Sequence, residues 1–126
     1  HPAYPAGHAA IAGACTTVLK AFFNPDFVIP NPVQASRDGA ALEPITTTLK
    51  LGDEFDKLAA NISIGRDTAG VHFRSDGIEG IALGEQVGVG LLRDYSMSYP
   101  ESFDGFLLRR FDGSRVRIRA GLVVPA

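Results

Sequence analysis

The sequence predicts a mainly α-helical chain that closes on a small β-hairpin. Three observations carry this prediction. Apolar residues recur at helical spacing over about 8–23, 48–68 and 75–95. Gly80, Gly84 and Gly88 repeat every fourth residue inside the third stretch. After Pro100 the period falls to two, with Arg115, Arg117 and Arg119 alternating with Val116 and Ile118. At 126 residues, 45% hydrophobic and 21% charged, the chain has globular composition and makes one domain or part of one. A net charge of −2 gives no reason to expect nucleic acid or a membrane surface as partner. No apolar run approaches the roughly 18 residues that a membrane span needs.

The first helix should run from His8 to about Phe23, with Ile11, Cys15, Val18, Leu19 and Phe22 as its apolar stripe. Its alanines and Gly13 would let another helix approach closely. Cys15 has no partner for an internal disulfide and reads as a small core residue. Asn24-Pro25 ends the helix. Residues 24–47 hold Pro25, Pro30, Pro32 and Pro44 without a sustained period, and read as a long ordered connection of the kind that is often functional.

The second helix should start near Thr48 as N-cap and bury Leu51, Phe55, Leu58, Ala59 and Ile62. Gly70 breaks it after about Thr68. The third should start near Ser75 or Asp76, with Asp76 and Glu79 at capping-box spacing and Ile78, Ile81, Ala82 and Leu92 as core candidates. Its three spaced glycines each cost about 1 kcal/mol of helix propensity, so close packing on another helix is the expected compensation. The hairpin, about 105–119, turns at Asp112-Gly113, a pair suited to a type I′ turn. Arg115, Arg117 and Arg119 share a face that is either solvated or a subunit or anion contact.

Two segments carry candidate chemistry. The chain opens His1-Pro2-Ala3-Tyr4-Pro5-Ala6-Gly7-His8, which places a glycine and a histidine in the first turn of a helix. Free N–H groups and the positive dipole end there attract anions. The second segment is Gly65-Arg66-Asp67-Thr68-Ala69-Gly70-Val71-His72-Phe73-Arg74-Ser75-Asp76. Taken singly, Arg66 is a surface charge, His72 a satisfied histidine and Asp76 a helix cap. Together the segments offer two histidines, an arginine fork and a helix N-terminus, a set suited to a tetrahedral oxyanion.

This pair of motifs resembles the vanadium-dependent haloperoxidases and the related acid phosphatases, which show Pro-Ser-Gly-His followed by Arg-x5-His-x3-Asp. Here the counterparts are Pro5-Ala6-Gly7-His8 and Arg66-x5-His72-x3-Asp76. The wording of His1-Pro2-Ala3-Tyr4-Pro5 and of Leu58-Ala59-Ala60-Asn61-Ile62-Ser63-Ile64-Gly65-Arg66 looks most like the bromoperoxidase branch, and the similarity extends through Phe111-Asp112-Gly113. The resemblance implies the helical-bundle portion of a vanadium haloperoxidase-like fold with a small C-terminal β-hairpin. It implies vanadate as cofactor, at a place that phosphate also fits. His72 would be the metal ligand, and Arg66 and the Gly7 N–H would hydrogen-bond the anion. His8 would be the acid–base catalyst, His1 a second catalytic histidine, and Asp76 an orienter of His72 as an alternative to capping. The implied reaction is oxidation of halide, with a lean to bromide, by hydrogen peroxide to hypohalous acid, which halogenates a small organic substrate. A homo-oligomer is also implied.

Two departures stand out. Ala6 replaces the usual serine, which removes a hydroxyl donor worth about 1–3 kcal/mol of oxyanion affinity if nothing replaces it. The family's upstream Lys-x6-Arg-Pro is missing; Lys20, Lys50 and Lys57 lie downstream without that spacing. Residues 1–126 are therefore expected to be a single C-terminal portion of a larger helical domain, with the upstream half as its partner and the natural N-terminus further upstream. Two other readings stay open. One is phosphate-ester hydrolysis in the same pocket, against which Gly65, His1 and the lack of a membrane span lean. The other is a non-catalytic fragment or oligomerisation module.

Overall fold

The chain forms α1 (Gly7–Phe22), α2 (Leu51–Thr68) and α3 (Arg74–Ser96). Between the first two helices lie β1 (Val33–Ala35) and β2 (Leu42–Pro44); after the third come β3 (Phe106–Arg109), β4 (Arg115–Arg119) and β5 (Leu122–Pro125). The computed structural model describes residues 3–99 and 102–126. Among them no helix is long and apolar enough to cross a membrane.

The glycine ridge of α3 is where α1 lies. A Cβ on Gly84 would overlap the Ala10 carbonyl and stand 2.7 Å from Ala14 N. One on Gly80 would stand 2.6 Å from the Ala6 carbonyl oxygen, and one on Gly88 2.9 Å from Thr17 Cβ. Gly13 answers from α1, its Cβ position 2.5 Å from the Ile81 carbonyl oxygen. Residue numbers rise together along this line, so α1 and α3 run parallel. Gly77 meets Ser63 and Lys20 meets Asp56, which sets α2 antiparallel to both.

Backbone contact of this kind requires small residues along the seam, and this overturns several expected core positions. α1 buries Ala9, Ala12, Gly13, Thr16, Thr17 and Lys20, whereas Ile11, Cys15 and Phe22 are exposed and Val18 and Leu19 half-buried. Cys15 is thus a surface thiol. α2 buries Gly52, Ala59 and Ser63 and leaves Leu58 and Ile62 exposed. On α3, Leu92 is buried as expected, but Ile78 and Ala82 face outward and Ile81 is half-buried.

The helix starts also shift. α2 begins after Lys50, not Thr48, because the connection caps it: Leu51 N donates to the Phe27 carbonyl (2.9 Å) and Gly52 N to that of Pro25 (2.9 Å). α3 begins at Arg74, and Asp76 reaches back to accept the Phe73 N–H (2.9 Å), so the box runs from Asp76 to Phe73 and not to Glu79. The connection itself holds an antiparallel ribbon, with Val33 opposite Pro44 and Ala35 opposite Leu42, which the sequence did not announce.

The C-terminal sheet is a three-stranded antiparallel meander, one strand more than the expected hairpin. Asp112-Gly113 is not its type I′ turn. Gly113 N donates to the Arg110 carbonyl (3.0 Å) and only Gly113 takes a positive φ (84°), which makes a three-residue loop ending on a left-handed glycine. The primed two-residue turn is Ala120-Gly121, with φ 48° and 78°. Leu92, Phe106, Leu108 and Ile118 form the core between this sheet and the helices, backed by Ala21, Val89, Tyr99, Phe103 and Val116. Two buried charges lock the joint. Lys20, fully buried, places Nζ 2.7 Å from Asp56 Oδ1 and 3.7 Å from the Phe111 ring centre, while Arg109 Nη2 donates to Asp56 Oδ2 at 3.0 Å. Glu85 accepts the Phe111 N–H (2.7 Å) and Arg110 Nε (3.0 Å). On the outer face of β4, Arg115 pairs with Asp26 at 2.9 Å.

Candidate functional site

Parallel packing of α1 and α3 brings two helix N-termini to one end, and antiparallel α2 delivers its C-terminal turn to the same end. The link is direct: Ala6 N donates to the Asp76 carbonyl at 2.9 Å. Ala6 is the N-cap residue of α1 and supplies no side-chain cap, so the first-turn amides have no partner from that quarter. Gly7 and His8 follow, both exposed, and a Cβ on Gly7 would meet nothing within 4 Å.

Arg66 stands in the last turn of α2. That turn closes as a Schellman motif: Gly70, at φ 71°, donates to the Asp67 carbonyl (2.9 Å) and Val71 N to the Arg66 carbonyl (3.3 Å). The reversal sets His72 immediately ahead of α3. Its side chain is 3% exposed, and Nδ1 lies 3.4 Å from Asp76 Oδ2. Asp76 therefore does both things weighed for it, capping Phe73 and facing the His72 ring. Its carboxyl is held below the ordinary carboxylate value chiefly by the Phe73 N–H; burial opposes this, and hydrogen bonds from His72 and Ser75 add to it.

The structure thus gathers Gly7, His8, Arg66, His72 and Asp76 at one end of the bundle. His1 lies outside the described residues. Arg66 Nε is buried without a hydrogen-bond partner, as is Asp67 Oδ1 beside it in sequence. Asp67 was missed by sequence reasoning. Its signal is an acidic residue in the last turn of a helix, where the dipole disfavours negative charge. Among the described residues no three of His, Cys, Asp and Glu cluster to hold a metal cation. The donors at this end are an imidazole, a guanidinium with an orphaned N–H, and first-turn amides, which fit an oxyanion such as vanadate or phosphate.

Comparison with known proteins gives the same direction. Residues 1–99 match the family described as the VCPO second helical-bundle domain. The chain is 47% identical over 120 residues to a vanadium-dependent bromoperoxidase of Corallina officinalis, covering 94% of this chain and 20% of that protein. It is 38% identical over 122 residues to one from Ascophyllum nodosum, covering 94% of this chain and 22% of that protein. Among solved structures, the homohexameric second vanadate-dependent bromoperoxidase (AnII) of Ascophyllum nodosum superposes with a TM-score of 0.86 at 26% identity, over 100% of this chain and 29% of that one. The chain spans about a fifth of the length of the curated relatives it matches. The shared helical architecture, the paired motifs and these matches make the chain a member of the VCPO second helical-bundle domain family, within the vanadium-dependent haloperoxidases.

Proposed function

We propose that this chain supplies one wall of the vanadate pocket of a larger enzyme that oxidises bromide with hydrogen peroxide. The observation that supports the reading is that Arg66, His72 and the α1 N-terminus lie at the same end of the bundle, with Arg66 Nε buried and without a partner. Vanadate bound there would supply Lewis-acid activation of hydrogen peroxide toward halide.

The chain's own residues then take defined roles. The Asp76 carboxylate beside Nδ1 favours the tautomer protonated on that nitrogen, which leaves the Nε2 lone pair as the metal-binding one. Arg66 donates N–H groups in a fixed fork and offsets anionic charge. Gly7 offers its amide with no side chain in the way. His8 is exposed in the first turn of α1 and exchanges a proton with incoming peroxide at a ring nitrogen. His1 would act as a second catalytic histidine. The remaining donors and the rest of the pocket come from the part of the polypeptide outside this chain, and the organic substrate meets hypohalous acid formed there. Large exposed side chains on all three helices need cover, and the Ascophyllum neighbour is a homohexamer; both support a homo-oligomer.

The test uses the full-length protein with vanadate, peroxide and bromide, following bromination of a dye beside phosphate-ester hydrolysis. Bromination that depends on vanadate and is lost in His72→Ala, without ester hydrolysis, is the expected result. Ester hydrolysis without bromination would turn the reading toward a phosphatase. Silence in both assays would leave the chain a non-catalytic module.

A further inference from the structure

α2 carries Arg66 to the site, and its hold on the rest of the chain is uneven. The helix buries only Gly52, Ala59 and Ser63. Its start is fixed firmly: Gly52 lies against Pro25 and Arg109, and Asp56 takes Lys20 and Arg109. From Asp56, however, Arg66 is about 15 Å away along the axis, at about 1.5 Å per residue. Ser63 is only about 4.5 Å away, nearly one turn, and it is the last buried residue before the helix ends. Arg66 Nε has no hydrogen-bond partner to hold it, so the guanidinium takes its position from the backbone that carries it. Whatever Ser63 rests on therefore decides where Arg66 stands.

Ser63 rests on the first turn of α3. A Cβ on Gly77 would overlap Ser63 Oγ and stand 3.4 Å from Ser63 Cβ. The serine hydroxyl thus fills the place that a side chain at 77 would take. Gly77 lies inside α3 and has no positive φ, so the backbone does not demand a glycine there. A glycine in a helix costs stability relative to alanine, and what it gives in return here is room for α2. Gly77 is also joined to the residues around His72. Its N–H donates to the Phe73 carbonyl (3.3 Å), and its neighbour Asp76 accepts the Phe73 N–H and faces His72 Nδ1. The contact therefore stands between the helix that carries the arginine and the turn that carries the histidine.

We infer that Ser63 and Gly77 are a positioning pair: the hydroxyl of one, seated against the bare backbone of the other, sets the gap between α2 and α3 and with it the separation of Arg66 from His72. The inference rests on the reading of this end as a vanadate pocket. The test compares the full-length wild type, Gly77→Ala, and Gly77→Ala combined with Ser63→Ala, in which the two Cβ atoms meet at an ordinary contact distance. Crystal structures give the gap, and calorimetric titration of the vanadate-free protein gives the affinity for vanadate. Gly77→Ala should widen the gap and weaken vanadate binding by about tenfold or more, and the second substitution should restore both. A pair that serves packing alone would shift the urea midpoint and leave the affinity of the folded protein unchanged, which would overturn the inference. An unchanged gap, or an affinity that Ser63→Ala does not restore, would overturn it as well. If Gly77→Ala fails to fold, Ser63→Thr, which adds a methyl group on the other side of the contact, decides by the same two measurements. A gap that widens and closes as stated in a protein that never binds vanadate retains the spacer and rejects the pocket. Equal vanadate binding by all three proteins does the reverse.

Discussion

From Gly77 to Gly88, α3 meets its neighbours through its backbone; from Leu92 onward it meets the sheet through large side chains. The first half excludes side chains: Gly80, Gly84 and Gly88 lie against Ala6, Ala9, Ala10, Ala14 and Thr17. The second half fills space with them: Leu92, Phe106, Leu108 and Ile118, with Phe22 and Phe106 ring centres 5.3 Å apart. The seam gains close dispersion contact and positional precision from little apolar area, whereas the sheet core gains transfer free energy from a lot of it. The candidate site residues sit at the seam's end, where the first turns of two helices lie side by side. The sheet end anchors.

That contrast can be broken from either side. Gly84→Val should have the largest effect, because its side chain has no room beside Ala10 and Ala14. A loss of about 3 kcal/mol or more in urea denaturation of the full-length protein is expected, and an unshifted midpoint would mean that the helices do not touch there. Leu108→Ala attacks the other end, and a cavity at this fully buried site should cost about 3 kcal/mol in the same measurement. A smaller change of opposite sign tests the uncapped start of α1. Ala6→Ser places a hydroxyl at the N-cap and should stabilise by about 1 kcal/mol, read as a higher urea midpoint. Gly90→Ala sharpens the seam argument on the same helix. Gly90 is off the ridge, with nothing within 4 Å of its Cβ position, so a gain of about 0.5–1 kcal/mol should appear where Gly84 shows a loss.

The last expected effect depends on pH. Folding holds the Asp76 carboxyl below its ordinary value of 3.8, so its contribution is complete above that pH and is lost as pH falls through the folded value. The stability gap between wild type and Asp76→Asn, measured by urea titration from neutral pH downward, should be constant until about pH 4 and close below it. A gap that persists at acid pH would remove the ionised carboxylate from the account.

Much of this was legible in the chain. The helices appear within one to three residues of their expected bounds, because period and breakers such as Asn24-Pro25 and Gly70 are local signals. Gly80, Gly84 and Gly88 announced a close helix contact, and α1 supplies it. The inward faces were not legible. Ile11, Cys15, Leu58, Ile62 and Ile78 satisfy a helical stripe yet stand outside, because the stripe rule presumes a core made of this chain alone. In a chain that spans about a fifth of its relatives, apolar faces answer to surfaces elsewhere. The ribbon escaped notice because three-residue strands with prolines carry almost no period. At the site end, the Arg66, His72 and Asp76 spacing was legible in the sequence, but the burial of Asp67 and its unpartnered oxygen was not.

The parallel course of α1 and α3 has one more consequence. Each helix carries about half a unit of positive charge at its N-terminus, and here two such ends lie side by side. Any attraction for an anion at this end would therefore be set in part by chain direction and not by a side chain. Where a side-chain cap is missing, as at Ala6, the backbone keeps that charge in place.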